Sequence, residues 1–223
     1  MIPHQKQAAI FADRLLSWWK QNKQSFPWRS SSDPYQILIA EILLRKTTAK
    51  QVAKIYKNFL RLFPSPKSLA EADVENLEEA LKPLGMYRVR AKLLKKIGEI
   101  LDQRFAGKVP DTKDGLLLLP GVKEYVANAV LCFAYNKDVP LVDTNAVRIF
   151  QRVFGFKSEK KRVKDDPAIW KFAEAVTPPG RAKDFNLALI DFAHKVCRPK
   201  TPDCRSCTMR DVCISYSEKR SKV

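Results

Sequence analysis

A corner between two helical segments, near the middle of the chain, constrains the fold most. Four consecutive leucines at 116–119 precede Pro120 and Gly121, and a second helical pattern begins at Val122 or Lys123 and runs to about residue 135. Proline cannot continue a helix interior, and glycine lets the backbone reverse without a steric penalty. The pattern predicts two short helices joined by a tight turn, although an ordinary corner of a helical protein has the same pattern.

The start of the second helix is suited to bind a phosphate group. The first backbone N–H groups of a helix have no partner within it, and the helix dipole is positive at that end. We therefore predict that Pro120, Gly121, Val122 and Lys123 contact the backbone of a nucleic acid.

A single carboxylate follows this corner. Asp143 comes directly after the apolar segment 139–142 and just before a helical pattern at 145–154. The acid could serve only as the N-cap of that helix. Behind a corner that holds a nucleic-acid strand, it is also placed to act on that strand. Asn145 could hydrogen-bond the carboxylate and fix its orientation.

These residues resemble a known family. LPGVKEYVANAVL followed by VDTN resembles the helix-hairpin-helix and Pro-Val-Asp signature of the endonuclease III superfamily of DNA glycosylases. FPWR, DPY and AEILLRKTT resemble the branch that removes mismatched adenine or thymine. The usual hairpin is LPGVG, so Lys123 stands where the family normally has its second glycine.

The resemblance implies an all-α helix-hairpin-helix DNA glycosylase fold, with two helical domains and a cleft between them. Residues 25–135 would form a six-helix barrel domain that contains the hairpin. Residues 1–24 together with 136–223 would form an iron–sulfur cluster domain. The remaining helical patterns are at 4–22, 35–44, 49–63, 68–71, 74–81, 88–105, 167–176 and 182–196, and no segment has a strand pattern.

The resemblance also implies roles for four catalytic residues. Asp143 would stabilise the positive charge that develops on the sugar and would orient water, with Asn145 holding it. Glu41, a lone acid in an apolar helix, would face the flipped base. Tyr125 occupies the position at which strand-cleaving members have a lysine, and a phenol cannot form a Schiff base. Tyrosine there, together with LLRKTT, resembles the glycosylases that remove thymine or uracil opposite guanine and leave an abasic site.

A flipped base leaves a gap in the duplex. The residues expected to contact DNA around this gap are Arg45, Lys46 and Thr47 from the loop after the Glu41 helix, with Asn186 or Leu187 from the C-terminal half. The apolar neighbours of Leu187 also predict a core position for it.

Four cysteines near the C-terminus form the most specific pattern. Cys197, Cys204, Cys207 and Cys213 have six, two and five residues between them. Structural zinc sites typically use two separated Cys-x2-Cys pairs, whereas this array is a compact loop around one such pair. Four thiolates can hold a [4Fe–4S] cluster, and the spacing matches the cluster loop of the endonuclease III family. Zinc stays as the alternative, and Cys132 is predicted to lie in the core.

The charge balance indicates a polyanionic partner. Lysine and arginine number 41 against 24 acids, a formal charge of +17, which favours binding to a nucleic acid or an anionic surface. No apolar run approaches the roughly 20 residues that span a bilayer, and the N-terminus lacks the apolar core of a signal peptide. We therefore expect an intracellular protein without membrane association. The resemblance implies a monomer that binds double-stranded DNA containing a mismatched or damaged base.

Two other functions fit the same residues. The first is an adenine glycosylase that acts on adenine opposite oxidised guanine, although such relatives usually have a serine at the position of Tyr125. The second is a non-catalytic DNA-binding or redox module that uses the hairpin and the cluster only as scaffolds.

Overall fold

The structure, a computed structural model, describes residues 5–220. Every regular element in this range is helical and none is a strand, so the predicted all-α fold is confirmed. The α-helices of the described range are α1 (Gln5–Lys20), α2 (Pro34–Leu44), α3 (Ala49–Leu62), α4 (Pro66–Glu71), α5 (Val74–Leu81), α6 (Tyr87–Phe105), α7 (Lys113–Leu117), α8 (Glu124–Phe133), α9 (Thr144–Phe154), α10 (Pro167–Val176), α11 (Ala182–Lys195) and α12 (Ile214–Arg220). Short 3-10 turns occur at Pro27–Ser30, Lys82–Leu84 and Val163–Asp165.

The chain divides into two compact units. The central unit is Ser25–Tyr135, and the terminal unit contains the chain up to Gln24 and from Asn136 onwards. The central unit holds seven α-helical segments, α2 to α8, where the resemblance implied six. Two of the seven, α4 and α7, have only six and five residues.

The core of the central unit forms around α2 and α6. Helix α2 packs against α3 and α8, and α6 packs against α4 and α5. All of α2 from Tyr35 to Leu43 except Gln36 is buried, which explains its nearly continuous apolar sequence. At Gly98 of α6, a Cβ atom would lie 2.7 Å from the backbone nitrogen of Ala70. Only glycine therefore lets α4 approach α6 this closely.

In the terminal unit, α11 packs against α1 and α9. The Phe11 ring meets the edges of Phe154 and Phe185, with ring centroids 5.1 and 6.1 Å away. The fully buried Asp191 accepts hydrogen bonds from Nε1 of Trp19 (2.8 Å) and from the backbone and side chain of Gln24 (3.1 and 2.8 Å). Because a buried carboxylate is costly without partners, these bonds fix the N-terminal helix against α11.

Most helix positions follow from local sequence signals. Asp33 caps α2, and Thr48 forms a capping box with Gln51 at the start of α3. Helix α12 was not predicted, and the predicted start of the first helix at residue 4 lies outside the described residues. Among the helices that the structure describes, none is long and apolar enough to cross a membrane.

Candidate functional site

The predicted corner is a hairpin between α7 and α8. Gly121 has a φ of +75°, in the left-handed region that favours glycine. The N–H of Val122 donates to the carbonyl of Leu119 (3.1 Å) and closes the turn. Lys123 is exposed and has an extended backbone (φ −117°, ψ 177°) as the N-cap of α8. Any residue can adopt this conformation, so lysine replaces the usual glycine without backbone strain.

The side chain of Arg45 lies against the hairpin. A Cβ atom at Gly121 would come within 2.6 Å of Nη1 of Arg45 and 3.1 Å of the Leu93 side chain. The absence of a side chain at Gly121 therefore makes room for a guanidinium group at the turn. This brings a cation from the loop after α2 to the hairpin that the sequence predicted to bind phosphate.

The loop of Arg45, Lys46 and Thr47 is short and strained. Lys46 has a φ of +55°, and the N–H of Thr47 donates to the carbonyl of Leu44 (3.2 Å). A left-handed lysine costs roughly 1–2 kcal/mol. Arg45 and Lys46 are exposed and Thr47 is half-buried, so the loop presents two cations to solvent.

Glu41 and Tyr125 lie on two helices that pack against each other, α2 and α8. Glu41 is 7% exposed and Tyr125 is half-buried. Glu41 lies four residues before Arg45, near the C-terminal end of α2, and Tyr125 is the second residue of α8, four residues after Gly121. Arg45 lies against Gly121. Glu41 and Tyr125 are therefore both near the end of the α2–α8 pair at which the hairpin and the loop of Arg45, Lys46 and Thr47 are located.

Arg90 is a residue that sequence reasoning missed. Its side chain is 6% exposed, and burial, followed by the neighbouring Arg45 cation, lowers the pKa of its guanidinium. Its spacing from the buried Leu94, Ile97 and Leu101 of α6 was the signal that it faces inward. Its hydrogen-bond acceptors are the carbonyl oxygens of Ile42 (3.0 Å), Leu43 (3.1 Å), Gly85 (3.3 Å) and Arg45, and the hydroxyl of Thr47 (2.6 Å).

Met86, on the turn before α6, is a second residue that sequence reasoning missed. It is 55% exposed, has a φ of +48° and is the N-cap of α6. A non-glycine residue with a left-handed backbone is uncommon, and such strained positions cluster at functional sites. Sequence reasoning assigned Met86 no role.

Asp143 caps α9 and is half-buried. Its Oδ1 accepts hydrogen bonds from the backbone N–H groups of Asn145 (2.9 Å) and Ala146 (2.8 Å), and its Oδ2 accepts one from Nδ2 of Asn145 (2.6 Å). Three donors at a helix N-terminus stabilise a carboxylate anion in one orientation. This geometry makes Asp143 the N-cap of α9, and it is also compatible with an oriented acid that acts on a nucleic-acid strand.

Arg148, one turn along α9, connects this carboxylate to the cysteine loop. Its Nη1 donates to Oδ1 of Asn145 (3.1 Å), and its Nε and Nη2 donate to the carbonyls of Cys197 (2.8 Å) and Ala193 (3.0 Å). A single helix therefore carries the acid, the amide that holds it and an anchor for the first cysteine.

Asn186 and Leu187 are buried residues of α11. They are 1% and 8% exposed. The Asn186 side chain accepts from the N–H of Leu141 (3.1 Å) and donates to the carbonyl of Val139 (2.9 Å). Its amide thus holds the segment that leads to Asp143 rather than facing solvent. Leu187 has the core position that its apolar neighbours predicted, and the contact of either residue with DNA stays a prediction.

The four cysteines line one loop after α11. Cys197 is buried, and the other three are half-buried. Burial raises the pKa of the Cys207 thiol to about 11, and the charges of Cys213, Cys197 and Cys204 add to this effect. The four thiols therefore lie in one neighbourhood. In the part of the chain that the structure describes, however, no three His, Cys, Asp or Glu side chains are close enough to hold a single metal ion.

The two candidate cofactors require different separations of the four sulfur atoms. The four sulfurs of a zinc site all lie about 2.3 Å from one ion, so they must crowd together. In a [4Fe–4S] cluster each thiolate binds a different iron, which needs a wider arrangement. Which group the thiols bind, a [4Fe–4S] cluster or zinc, stays a prediction.

An all-helical fold with a helix-hairpin-helix corner and an oriented carboxylate defines the class of this protein. The chain belongs to the HhH-GPD superfamily of base excision DNA repair proteins, whose family model matches residues 39–174. The resemblance that the sequence motifs carried is thereby confirmed.

Three known proteins illustrate the similarity. The chain is 45% identical to a thymine/uracil-DNA glycosylase of Pyrobaculum aerophilum, over 100% of this chain and 98% of that protein. It is 42% identical to a thymine-DNA glycosylase of Aeropyrum pernix, over 92% and 93% of the two chains. The solved structure of a thermostable thymine-DNA glycosylase superposes with a TM-score of 0.92 at 36% identity, covering 96% of this chain and 98% of that one.

Proposed function

We propose that the protein is a monofunctional DNA glycosylase that removes thymine or uracil mispaired with guanine in double-stranded DNA. The observation that carries this proposal is the Asp143 carboxylate, oriented by three donors at the start of α9. The names of the relatives described above, which are thymine or uracil glycosylases, support the substrate class. Such an enzyme acts inside the cell on genomic DNA, and we expect it to work as a monomer.

Asp143 acts on the sugar. The bond between the base and C1′ breaks with its electron pair leaving on the base, and a water oxygen then forms the new bond to C1′. The sugar develops oxocarbenium character, as in glycoside hydrolysis generally, and a nearby carboxylate stabilises that charge. Asp143 also accepts the proton that the water loses. Oδ1 already accepts two hydrogen bonds and Oδ2 one, so Oδ2 retains acceptor capacity for this water.

Glu41 and Tyr125 act on the base. A mismatched base costs less to extract from the duplex than a paired one. The Glu41 carboxyl group reads the edge of the flipped pyrimidine or delivers a proton to it as it leaves. Tyr125 lines the pocket, and because a phenol forms no Schiff base, the reaction ends at an abasic site with both strands intact.

The hairpin and the loop hold the DNA. Backbone N–H groups at the start of α8, together with the exposed Lys123 and the Arg45 cation, contact phosphates. The loop of Arg45, Lys46 and Thr47 fills the gap that the base leaves. Met86, which is exposed and apolar, is a further candidate to fill this gap beside Asn186 and Leu187.

The four loop cysteines hold a [4Fe–4S] cluster. The cluster supplies structural cross-links between the cysteines. This fixes a segment whose exposed cations, Arg198, Lys200, Arg205 and Arg210, are available to DNA.

A panel of mismatched duplexes tests the proposal. Oligonucleotides that contain G·T, G·U or adenine opposite oxidised guanine, with fully paired controls, are incubated with excess enzyme. Strand scission is read with and without hot alkali. We expect base release from G·T and G·U, with strand breaks only after alkali. A preference for adenine opposite oxidised guanine would contradict the proposed substrate. Strand breaks without alkali would contradict the monofunctional mechanism.

Asp143→Asn is the matched control. Asparagine is as good an N-cap as aspartate, so α9 should form normally. We expect base release to fall by about 10²–10⁴-fold with duplex binding retained. If Asp143→Asn releases the base as fast as the parent protein, or if neither protein releases any base, a non-catalytic DNA-binding module is favoured.

A further inference from the structure

We propose that Arg90 is a positioning residue that clamps the loop of Arg45, Lys46 and Thr47 to the Gly85-Met86 turn, so that both act as one rigid wedge in the duplex. This inference rests on the proposed function. Arg90 itself is too buried to contact DNA, at 6% exposure.

The first line of support is the hydrogen-bond geometry. One guanidinium group donates to three separate segments, namely the last turn of α2, the loop after it and the turn before α6. The planar guanidinium fork serves these acceptors from fixed directions, which a lysine ammonium cannot do. The cation also lies at the C-terminal end of α2, where the helix dipole favours positive charge. These contacts offset the cost of burying Arg90.

The second line of support is the backbone strain on both sides of Arg90. Lys46 and Met86 have left-handed backbones, with φ values of +55° and +48°. Such conformations persist only where surrounding contacts determine them. Arg90 bonds to the residues flanking Lys46, at the Arg45 carbonyl and the Thr47 hydroxyl, and to the carbonyl of Gly85 just before Met86.

The contacts of Arg90 would keep the loop and the turn rigid during base extraction. When a base is flipped out, the wedge must keep the duplex open while Glu41 meets the base, and Glu41 lies on the same helix that Arg90 holds. A loose loop would let the base return to the stack. Loss of Arg90 should therefore slow base removal chiefly when extraction from a paired duplex is required.

The experiment compares two uracil substrates. One has uracil opposite guanine in a duplex, and the other has uracil in a bubble of unpaired bases, where nothing must be extracted. Single-turnover rates at saturating enzyme are measured for Arg90→Gln, Arg90→Lys and the control Arg104→Gln. Arg104 is an exposed arginine near the other end of α6.

We expect Arg90→Gln to lower the duplex rate by about 10–100-fold, because small misplacements of positioning groups have effects of that size. The bubble rate should fall by no more than about threefold, and Arg104→Gln should change either rate by less than about twofold. An equal loss on both substrates would show a merely structural role and overturn the inference, as would no loss at all.

Two further measurements keep the test decisive. If Arg90→Gln fails to fold, Arg90→Lys keeps the charge with fewer donors, and the same unequal loss on the two substrates is expected. Fluorescence of 2-aminopurine beside a G·U mismatch reports unstacking without catalysis. Unstacking by a parent that releases no base would refute the proposed function alone. Equal unstacking and equal rates in parent and variants would refute the clamp alone.

Discussion

Asn145 holds Asp143 from two sides, with its backbone N–H 2.9 Å from Oδ1 and its side-chain Nδ2 2.6 Å from Oδ2. The orientation of this amide is itself fixed, because its oxygen accepts a hydrogen bond from Arg148 (3.1 Å). A flipped amide would turn its NH₂ group towards a guanidinium, which is a donor only. The carboxylate is therefore oriented by a residue that needs no contact with DNA.

Asn145→Ala should slow catalysis while leaving DNA binding intact. The substitution keeps the backbone N–H bond to Oδ1 but removes the bond to Oδ2, so the carboxylate can rotate. We expect the single-turnover rate on G·U to fall by about tenfold, near the effect of one charge-assisted hydrogen bond. Duplex affinity should stay unchanged in a gel-shift titration. Asn58→Ala, on the exposed face of α3, is the matched control, and equal rates for the two variants would contradict the role of Asn145.

Lys123 should contribute one phosphate contact that the usual glycine cannot make. Its extended backbone and exposed side chain allow Lys123→Gln without disturbing the hairpin. We expect the slope of log affinity against log salt to decrease in magnitude by about one, on matched and mismatched duplexes alike. Lys171→Gln, an exposed lysine on α10, removes the same charge elsewhere. If both variants give the same slope change, Lys123 has no special place in the interface.

The sequence predicted helices and motifs better than it predicted tertiary partners. The hairpin and the start of α9 follow from local chemistry, with Gly121 for a left-handed turn and Asp143 for a cap. The roles of Arg90 and Asn186 depend on hydrogen-bond partners more than 40 residues away in the chain. The spacing of Arg90 along α6 indicates that it faces inward, but no local pattern encodes which groups these two side chains contact. The role of Arg90 and the partners of Asn186 were therefore not predicted.

Gly121→Ala should destabilise the protein more than a comparable glycine change elsewhere. Both Gly121 and Gly107 have positive φ values, +75° and +73°. A Cβ at Gly107 meets nothing within 4 Å, whereas one at Gly121 would collide with Arg45. We expect Gly107→Ala to cost roughly 1–2 kcal/mol from backbone strain alone. Gly121→Ala should lower the melting temperature further by a few degrees, about 2–4 °C per additional kcal/mol, and should also weaken duplex binding. Equal shifts would show that Arg45 moves aside at no cost.

Asn186→Ala should loosen the segment that leads to Asp143. The change leaves the N–H of Leu141 and the carbonyl of Val139 without their side-chain partner in a buried position. We expect a loss of about 1–3 kcal/mol in the free energy of unfolding, measured by urea denaturation, together with a lower rate on G·U. If the variant is destabilised but releases the base from G·U at the parent rate, Asn186 contributes to folding and does not position Asp143.

The cysteine loop should hold iron and sulfide rather than zinc. We expect about four irons and four acid-labile sulfides per chain, and a brown protein. Cys204→Ser should lower the iron content, whereas Cys132→Ala should not, because Cys132 is fully buried in α8, outside the loop. Removing the iron should leave the cysteine loop more sensitive to protease, since the hydrogen bonds that Arg148 and Arg152 make to its backbone remain but the cross-links between thiols do not. One zinc per chain without sulfide would contradict the assignment, and the four thiols would then have to close around a single ion more tightly than they lie in the structure.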